Sequence, residues 1–140
     1  ICNQIRSGTA YAIDFDEKAV ELTKLNLGRF KFKAEVILSD AQDALPKLPQ
    51  VNAIVIGGTW GNTRKIIEMA ISKLQTNGRL VINTILIESA YDALWTLYDA
   101  KLEEVEVTQV IISKSRKVTT GTMMLARNPV LIISATKPTS

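Results

Sequence analysis

The sequence predicts an α/β protein with a Rossmann-like, mostly parallel sheet and helices packed on its faces. Along the 140 residues, short runs rich in β-branched residues alternate with segments of helical period. The first two runs end in acidic residues, Asp14 and Asp40, and the third ends in the pair Gly57–Gly58. The length is typical of one domain, so residues 1–140 are expected to form a single domain.

The first predicted strand, residues 9–14, leads directly into a helix. The acidic pair Asp16–Glu17 favours a helix start, because negative charge and a capping carboxylate satisfy the first backbone N–H groups. Gly28 is expected to end this helix. Its buried face is predicted from residues at three- and four-residue spacing, namely Ala19, Leu22, Thr23 and Leu27.

Two further strands complete the predicted parallel part of the first half. Residues 35–39 form the first of them, and a short helix or turn over 41–48 follows, interrupted by Pro46 and closed by Pro49. Residues 52–56 are mostly apolar, which is typical of a strand in the centre of a sheet.

The second half opens with an amphipathic helix. Asn62 or Thr63 is expected to cap it, and Asn77–Gly78 to end it in a left-handed cap. Its apolar residues recur at helical spacing, at Ile66, Ile67, Ala70, Ile71 and Leu74. A strand over residues 79–83 is predicted to follow at once.

The C-terminal part of the chain changes from alternating elements to mainly strands. A helix over 88–99 carries Tyr91, Leu94, Trp95 and Tyr98 at helical spacing. A long strand follows with Val105, Val107, Gln109 and Ile111 on one face, then a polar loop through 119–121. The last strand, 130–135, is expected to pair antiparallel with that long strand.

Composition narrows the classes of function. The chain has no His, which removes the commonest general base and transition-metal ligand and argues against metal catalysis, and the single Cys2 has no partner for an internal disulfide. We expect Cys2 to be buried. No run approaches the roughly 20 apolar residues that a membrane-spanning helix needs, and no signal-peptide pattern is present, so a cytoplasmic protein without membrane contact is expected.

A modest positive charge suits an anionic ligand. The net charge is +3, and four basic residues lie close together in the sequence at Lys114, Arg116, Lys117 and Arg127. A solvated charged loop explains the same residues equally well.

The order of elements, with acids after two strands, glycines after the third and an antiparallel pair at the end, resembles the class I S-adenosylmethionine-dependent methyltransferases. The resemblance implies that Asp14 binds the ribose hydroxyls of the cofactor and that Asp40, beside Ala41, binds the adenine amino group. It further implies that Phe15 packs on the adenine and that Gly57–Gly58 approach the methyl-bearing end. Each feature also has a local explanation, since such acids serve as turn residues or helix caps and such glycines as tight turns.

A narrower resemblance is carried by Gly121-Thr122-Met123-Met124, by Arg127-Asn128-Pro129-Val130, and by Val55-Ile56-Gly57-Gly58 upstream. These segments are similar to those of the decarboxylating precorrin methyltransferases of cobalamin biosynthesis. The resemblance implies methylation of a ring-bridging carbon of a precorrin with loss of carbon dioxide from an acetate side chain. It also implies a homo-oligomer, commonly a tetramer.

A precorrin carries many carboxylates, so the four basic residues are candidates for binding this anionic tetrapyrrole through charge-assisted hydrogen bonds. Thr122, Met123 and Met124 are the remaining candidate substrate contacts, although methionines beside a strand more often belong to a core. No residue is assigned as catalytic, because the conjugated tetrapyrrole can itself act as electron source and sink.

Two alternative functions are also compatible with the sequence. A non-catalytic binding or assembly module would keep the fold alone, and an RNA methyltransferase is suggested by the isoelectric point near 9.1. We do not favour nucleic acid, because several aromatics occupy expected helical core positions. The family's first strand and glycine-rich turn would precede Ile1, so the domain is expected to be N-terminally incomplete.

Overall fold

The structure, a computed structural model, describes residues 8–139. These fall into two compact units, residues 8–48 with a two-stranded sheet and residues 49–139 with a four-stranded sheet and a two-stranded hairpin. The predictions for Cys2 and for the chain before it lie outside the described residues. That the chain forms a single domain, with a further strand of the family's sheet before Tyr11, stays a prediction.

The first unit alternates strands and helices as predicted. Its elements are β1 (Tyr11–Asp14), α1 (Glu17–Phe30), β2 (Glu35–Leu38), α2 (Ala41–Ala44) and a 3₁₀ turn (Leu45–Lys47). Strands β1 and β2 are parallel, and Asp14 lies opposite Leu38. The C-terminal ends of the two strands therefore lie side by side.

Helix α1 begins as predicted but buries a different residue. The Asp16 carboxylate caps it by accepting a hydrogen bond from the Lys18 N–H at 2.9 Å. The helix runs past Gly28 and ends at Lys31, which is left-handed with φ of 57°. Val20 is the buried residue, whereas Leu22 is 60% exposed. The predicted inward position of Leu22 was wrong, because a two-stranded sheet covers only a narrow stripe of the helix.

The second unit contains a four-stranded mixed sheet, two helices and a hairpin. The elements are β3 (Val51–Ile56), α3 (Thr63–Lys73), β4 (Leu74–Thr84), α4 (Ile87–Asp99), β5 (Glu103–Val110), β6 (Ser113–Val118), β7 (Gly121–Ala126) and β8 (Val130–Thr136). The sheet order is β3-β4-β8-β5. β3 and β4 are parallel, and β8 is antiparallel to both of its neighbours. The predicted antiparallel pairing of the last strand is confirmed.

The core of the second unit lies between one face of this sheet and the helices α3 and α4. Its largest fully buried side chains are Ile67, Leu74, Leu80, Ile82, Leu97 and Ile133. Burying each such side chain contributes about 1.5–3 kcal/mol, so this face supplies most of the unit's stabilisation. The apolar spacing predicted for α3 is confirmed, since Ile66, Ile67 and Ala70 are buried.

The boundary between α3 and β4 differs from the prediction. The helix ends at Lys73, and Leu74 is already extended and pairs with Val51. The Lys137 ammonium donates to the carbonyls of Ile71 and Leu74 at 3.0 and 2.7 Å, which satisfies acceptors that the helix end leaves open. The Leu74 N–H also donates to the Ala70 and Ile71 carbonyls, so the helix end combines a local cap with a tertiary contact from the C-terminal part of the chain.

Asn77 and Gly78 lie within β4, at an irregularity in its pairing with β3, and not at the end of the helix. Asn77 is left-handed with φ of 60°. A Cβ at Gly78 would lie 2.7 Å from the Gln75 carbonyl oxygen, so this position requires glycine for close packing.

The aromatic residues of α4 point outward, contrary to the expected core positions. Tyr91, Trp95 and Tyr98 are 59%, 50% and 58% exposed, and the first two rings stack at 6.1 Å. The buried face consists of smaller residues, Ala90, Ala93, Thr96 and Leu97. Close packing against the sheet and α3 leaves room for these small side chains only. At the edge of the face, Arg64 donates to Asp92 at 2.9 Å, which raises the pKa of the guanidinium.

None of the helices in residues 8–139 is both long and apolar enough to span a membrane.

We predict that Lys137→Met lowers the free energy of unfolding by about 1–2 kcal/mol, because two half-buried carbonyls lose a charged donor. Urea denaturation measures this change. Lys65→Met, at an exposed position of α3, is the matched control and should change stability by less than about 0.5 kcal/mol. Equal stabilities of the two variants would show that the Lys137 contacts do not stabilise the α3–β4 junction.

Candidate cofactor and substrate site

The two predicted acids lie at the ends of neighbouring parallel strands. Asp14 ends β1, and Asp40 follows β2 by two residues. The Ser39 N–H donates to the Asp14 carbonyl at 3.0 Å and so holds the two strand ends together. Since adjacent strands are about 4.8 Å apart, the two strand ends that carry the acids lie within the length of one nucleoside.

Each acid also fulfils its local role. Oδ1 of Asp14 accepts the Asp16 N–H at 2.9 Å, and Oδ1 of Asp40 accepts the Gln42 N–H at 2.8 Å as the N-cap of α2. Within residues 8–139 the Oδ2 atoms of both have no hydrogen bond. Both side chains are exposed. The turn contacts therefore orient the carboxylates and leave one oxygen of each open to a ligand.

Phe15 and Ala41 each follow one of these acids. The Phe15 side chain is 54% exposed, and Ala41 begins α2 with a half-buried side chain. An exposed ring directly beside Asp14 is compatible with packing on a planar base.

In the second unit, the predicted glycine pair lines a cleft at the C-terminal ends of β3 and β4. The cleft has a volume of about 560 Å³. Residues 57–61 form one side of it, and residues 82–86 form the other. Ligands of α/β proteins commonly bind outside the C-terminal ends of parallel strands, so this is the candidate reaction cleft.

Neither glycine of the pair is required by its backbone conformation. Gly57 and Gly58 do not have positive φ, and a Cβ built on either would meet no atom within 4 Å. The tight-turn explanation does not account for them at these positions. The missing side chains leave open space beside the backbone at the cleft.

A chain of hydroxyl groups lies along the base of this cleft. Thr59 and Thr63 are buried, and their Oγ1 atoms share a hydrogen bond of 2.7 Å. Thr63 Oγ1 also contacts Ser89 Oγ at 3.4 Å. These residues were not predicted as site residues, although their positions after a strand and at a helix start could have indicated them.

The predicted substrate contacts come together on a β-hairpin formed by β6 and β7. Arg116 pairs with Met123, Lys114 with Leu125, and Lys117 with Thr122. Since side chains alternate between faces of a strand, Lys114, Arg116 and Met123 share one face and Lys117, Thr122 and Met124 the other. Met123 and Met124 are 45% and 63% exposed, so they are not core residues.

The hairpin strands were not predicted, since only the polar turn at 119–121 was expected. The hairpin exposes both of its faces, so its sequence lacks the alternation of apolar and polar residues that marks a half-buried strand. Arg127 follows the hairpin and closes its base, donating its N–H to the Ile112 carbonyl at 2.8 Å. None of the seven predicted substrate contacts lines the cleft.

The mixed sheet with its C-terminal antiparallel strands, together with the glycine turn after β3, defines a class I methyltransferase fold. Residues 1–137 match the precorrin methyltransferase domain family, and the chain belongs to that family. The predicted resemblance is confirmed.

The similar proteins include archaeal relatives and a solved structure. A protein of Sulfurisphaera tokodaii named "Probable cobalt-precorrin-6B C(15)-methyltransferase (decarboxylating)" is 40% identical over 94% of this chain and 68% of its own length. A protein of Methanothermobacter thermautotrophicus with the same name is 36% identical over 88% of this chain and 65% of its own.

The crystal structure of a precorrin-8W decarboxylase from Methanobacterium thermoautotrophicum superposes with a TM-score of 0.80 at 34% identity, over 91% of this chain and 69% of that one. The chain spans about two thirds of the length of these proteins.

We predict that Gly57→Ala and Gly58→Ala leave stability unchanged or raise it by up to about 1 kcal/mol, because an alanine fits there and restricts the unfolded chain. Gly78→Ala is the contrasting variant and should lose about 1–3 kcal/mol, since its Cβ would overlap a backbone carbonyl. Thermal unfolding compares all three. A large loss in the first two variants would show that the pair serves the fold.

Proposed function

We propose that the chain is part of an enzyme that methylates a ring-bridging carbon of an anionic precorrin, using S-adenosylmethionine, and removes carbon dioxide from an acetate side chain. Cobalamin biosynthesis is the proposed pathway. The observation that carries the proposal is the membership in the precorrin methyltransferase domain family, together with relatives named for this reaction at 36–40% identity.

The residues of the first unit fit the nucleoside end of this cofactor. Asp14 would accept hydrogen bonds from the ribose hydroxyls and Asp40 from the adenine amino group, because both residues are exposed and, within residues 8–139, only Oδ1 of each accepts a hydrogen bond. Phe15 and Ala41 would supply apolar contact to the base. Each of these residues directly follows one of the two acids in the sequence, which supports this role.

Gly57 and Gly58 would lie beside the methyl-bearing end. The open space at both positions allows a ligand to approach the backbone closely. When bound, S-adenosylmethionine supplies an electrophilic methyl group. The hydrogen bond between the buried Thr59 and Thr63 would help to position the segment that follows the two glycines.

The hairpin would bind the carboxylates of the tetrapyrrole. Lys114 and Arg116 share a face with Met123, which combines charged donors with an apolar surface. A macrocycle edged with carboxylates matches that combination. Lys117, Thr122 and Met124 on the opposite face, and Arg127 at the base, would bind more weakly or contact a second chain.

A homo-oligomer, with a tetramer as the expected form, is also proposed. Met124 is exposed on the face opposite to the one proposed to bind substrate, which supports an assembly in which that face is covered. Sedimentation equilibrium of the purified protein measures the state directly.

For the alternative that the protein is an RNA methyltransferase, helix α4 provides one argument in favour and one against. The aromatics of α4 are exposed, so they are available for stacking on bases. However, residues 87–99 carry three acids, Glu88, Asp92 and Asp99, and no Lys or Arg. This helix would repel a phosphate backbone, so we do not favour RNA as substrate. A non-catalytic module is distinguished by the absence of methyl transfer to precorrin.

We predict that Asp14→Asn weakens S-adenosylhomocysteine binding by roughly 10- to 100-fold, because an amide keeps the turn contact but loses the charge that strengthens ribose hydrogen bonds. Isothermal titration calorimetry gives the affinity. Asp16→Asn is the matched control, since that neighbouring carboxylate caps α1 and should leave binding within about twofold. Equal affinities for wild type and Asp14→Asn would refute the ribose role.

We predict that Arg116→Gln raises the KM for precorrin by roughly tenfold with little change in kcat, as expected when a contact is lost equally from ground and transition states. Lys117→Gln, one residue away on the opposite face, should change KM by less than about threefold. A steady-state methylation assay compares the two. A larger increase in KM for Lys117→Gln than for Arg116→Gln would assign substrate binding to the other face of the hairpin.

A further inference from the structure

We propose that Trp60 contributes to binding of the tetrapyrrole substrate, its indole serving as a stacking platform for the conjugated part of the macrocycle. The inference rests on the proposed function and adds a residue that the sequence did not indicate. It comes from the conformation, exposure and surroundings of this side chain.

The backbone at Trp60 favours other residues. Thr59 and Asn62 are joined by a hydrogen bond from the Asn62 N–H to the Thr59 carbonyl at 3.0 Å, so Trp60 and Gly61 are the central residues of a β-turn. Their φ angles are 48° and 86°. Positive φ at both central positions is typical of turns that prefer Asn, Asp or Gly first and Gly second. A bulky residue in the first position is strained.

The Trp60 side chain is also unusually accessible to solvent. It is 83% exposed, more than any other large hydrophobic side chain in residues 8–139. The turn that carries it is nevertheless well anchored, because the preceding Thr59 is buried and hydrogen-bonded to Thr63. This anchored turn thus presents a large and mostly exposed aromatic ring at the cleft.

The opposite rim of the cleft is apolar and exposed as well. Ile85 and Leu86 are 55% and 56% exposed, and both line the cleft with Trp60. Two apolar rims suit a flat, conjugated ligand whose charged groups lie at its periphery. Stacking of an aromatic side chain on a planar ring system contributes about 1–3 kcal/mol in nucleic-acid complexes, which corresponds to roughly 5- to 150-fold in affinity.

The test measures binding of uroporphyrin I, a planar tetrapyrrole with eight carboxylates, through the absorbance of the porphyrin. Trp60→Gly should weaken binding at least about tenfold, and Trp60→Phe, which keeps an aromatic ring, should stay within about threefold of wild type. Trp95→Phe removes the other tryptophan, an exposed residue of α4, and should leave affinity unchanged.

Stability separates a stacking role from a structural one. Glycine adopts positive φ without strain, so Trp60→Gly should unfold at the same temperature as wild type or higher while binding porphyrin more weakly. S-adenosylhomocysteine affinity should not change. A lower unfolding temperature with parallel losses of both ligands would make Trp60 a structural residue and overturn the proposal.

Other outcomes are equally decisive. Wild-type protein that does not bind uroporphyrin at 100 µM, or Trp60→Gly that binds it within twofold of wild type, overturns the stacking role. Methyl transfer to precorrin is assayed separately. Its absence, with porphyrin binding that still depends on Trp60, would refute the proposed reaction and leave the stacking platform standing.

Discussion

Strand β8 lies between β4 and β5, and the arrangement of the second unit depends on this double antiparallel pairing. Six residues of β4, from Arg79 to Thr84, pair with β8 on one side, and β5 pairs with it on the other. Ile133 and Ala135 of β8 are fully buried against the helices. Because the last strand of the chain is internal to the sheet, the unit is complete only when its C-terminal residues have docked.

The pairing of β8 with β4 and β5 also determines where the β6–β7 hairpin joins the sheet. Val110 lies opposite Val130, so the β6–β7 hairpin leaves and rejoins the sheet at one fixed point of the β5–β8 ladder. Val130 also lines the cleft. At the other end of β8, Lys137 binds the carbonyls at the α3–β4 junction. One strand therefore connects the end of a helix, the rim of the cleft and the base of the cationic hairpin.

The sequence predicted features that depend on local chemistry and missed those that depend on distant contacts. The ends of β1, β2 and β3 are marked by Asp14, Asp40 and Gly57, because turn and cap residues act within a few positions of themselves. The extended conformation of Leu74 at the end of α3 could not be predicted in this way, because it involves pairing with Val51 and a contact with Lys137, more than sixty residues further along. Local signals located the candidate cofactor residues, whereas the hydroxyl chain and Trp60 required the three-dimensional structure.

Helical spacing on α4 shows a different limit of sequence reasoning. Two stripes of this helix repeat with the same period, one aromatic and one of small residues. Periodicity alone does not decide which stripe is buried. The decision belongs to packing, because a helix pressed closely on a sheet and on α3 leaves space for Ala90 and Ala93 but not for Tyr91 and Trp95.

Several residues other than glycine have a left-handed backbone conformation, and the reason differs between them. Lys31 and Lys101 follow helix ends and donate their N–H groups to Gly28 and Tyr98, as helix-terminating residues do. Glu104 lies at the register shift between β5 and β8, which is a bulge. Trp60 differs from these because its ring is exposed and its turn would accept a smaller residue. Natural sequences break local rules mainly at functional sites, so this one departure, at the rim of the cleft, supports a role in ligand binding independently of family membership.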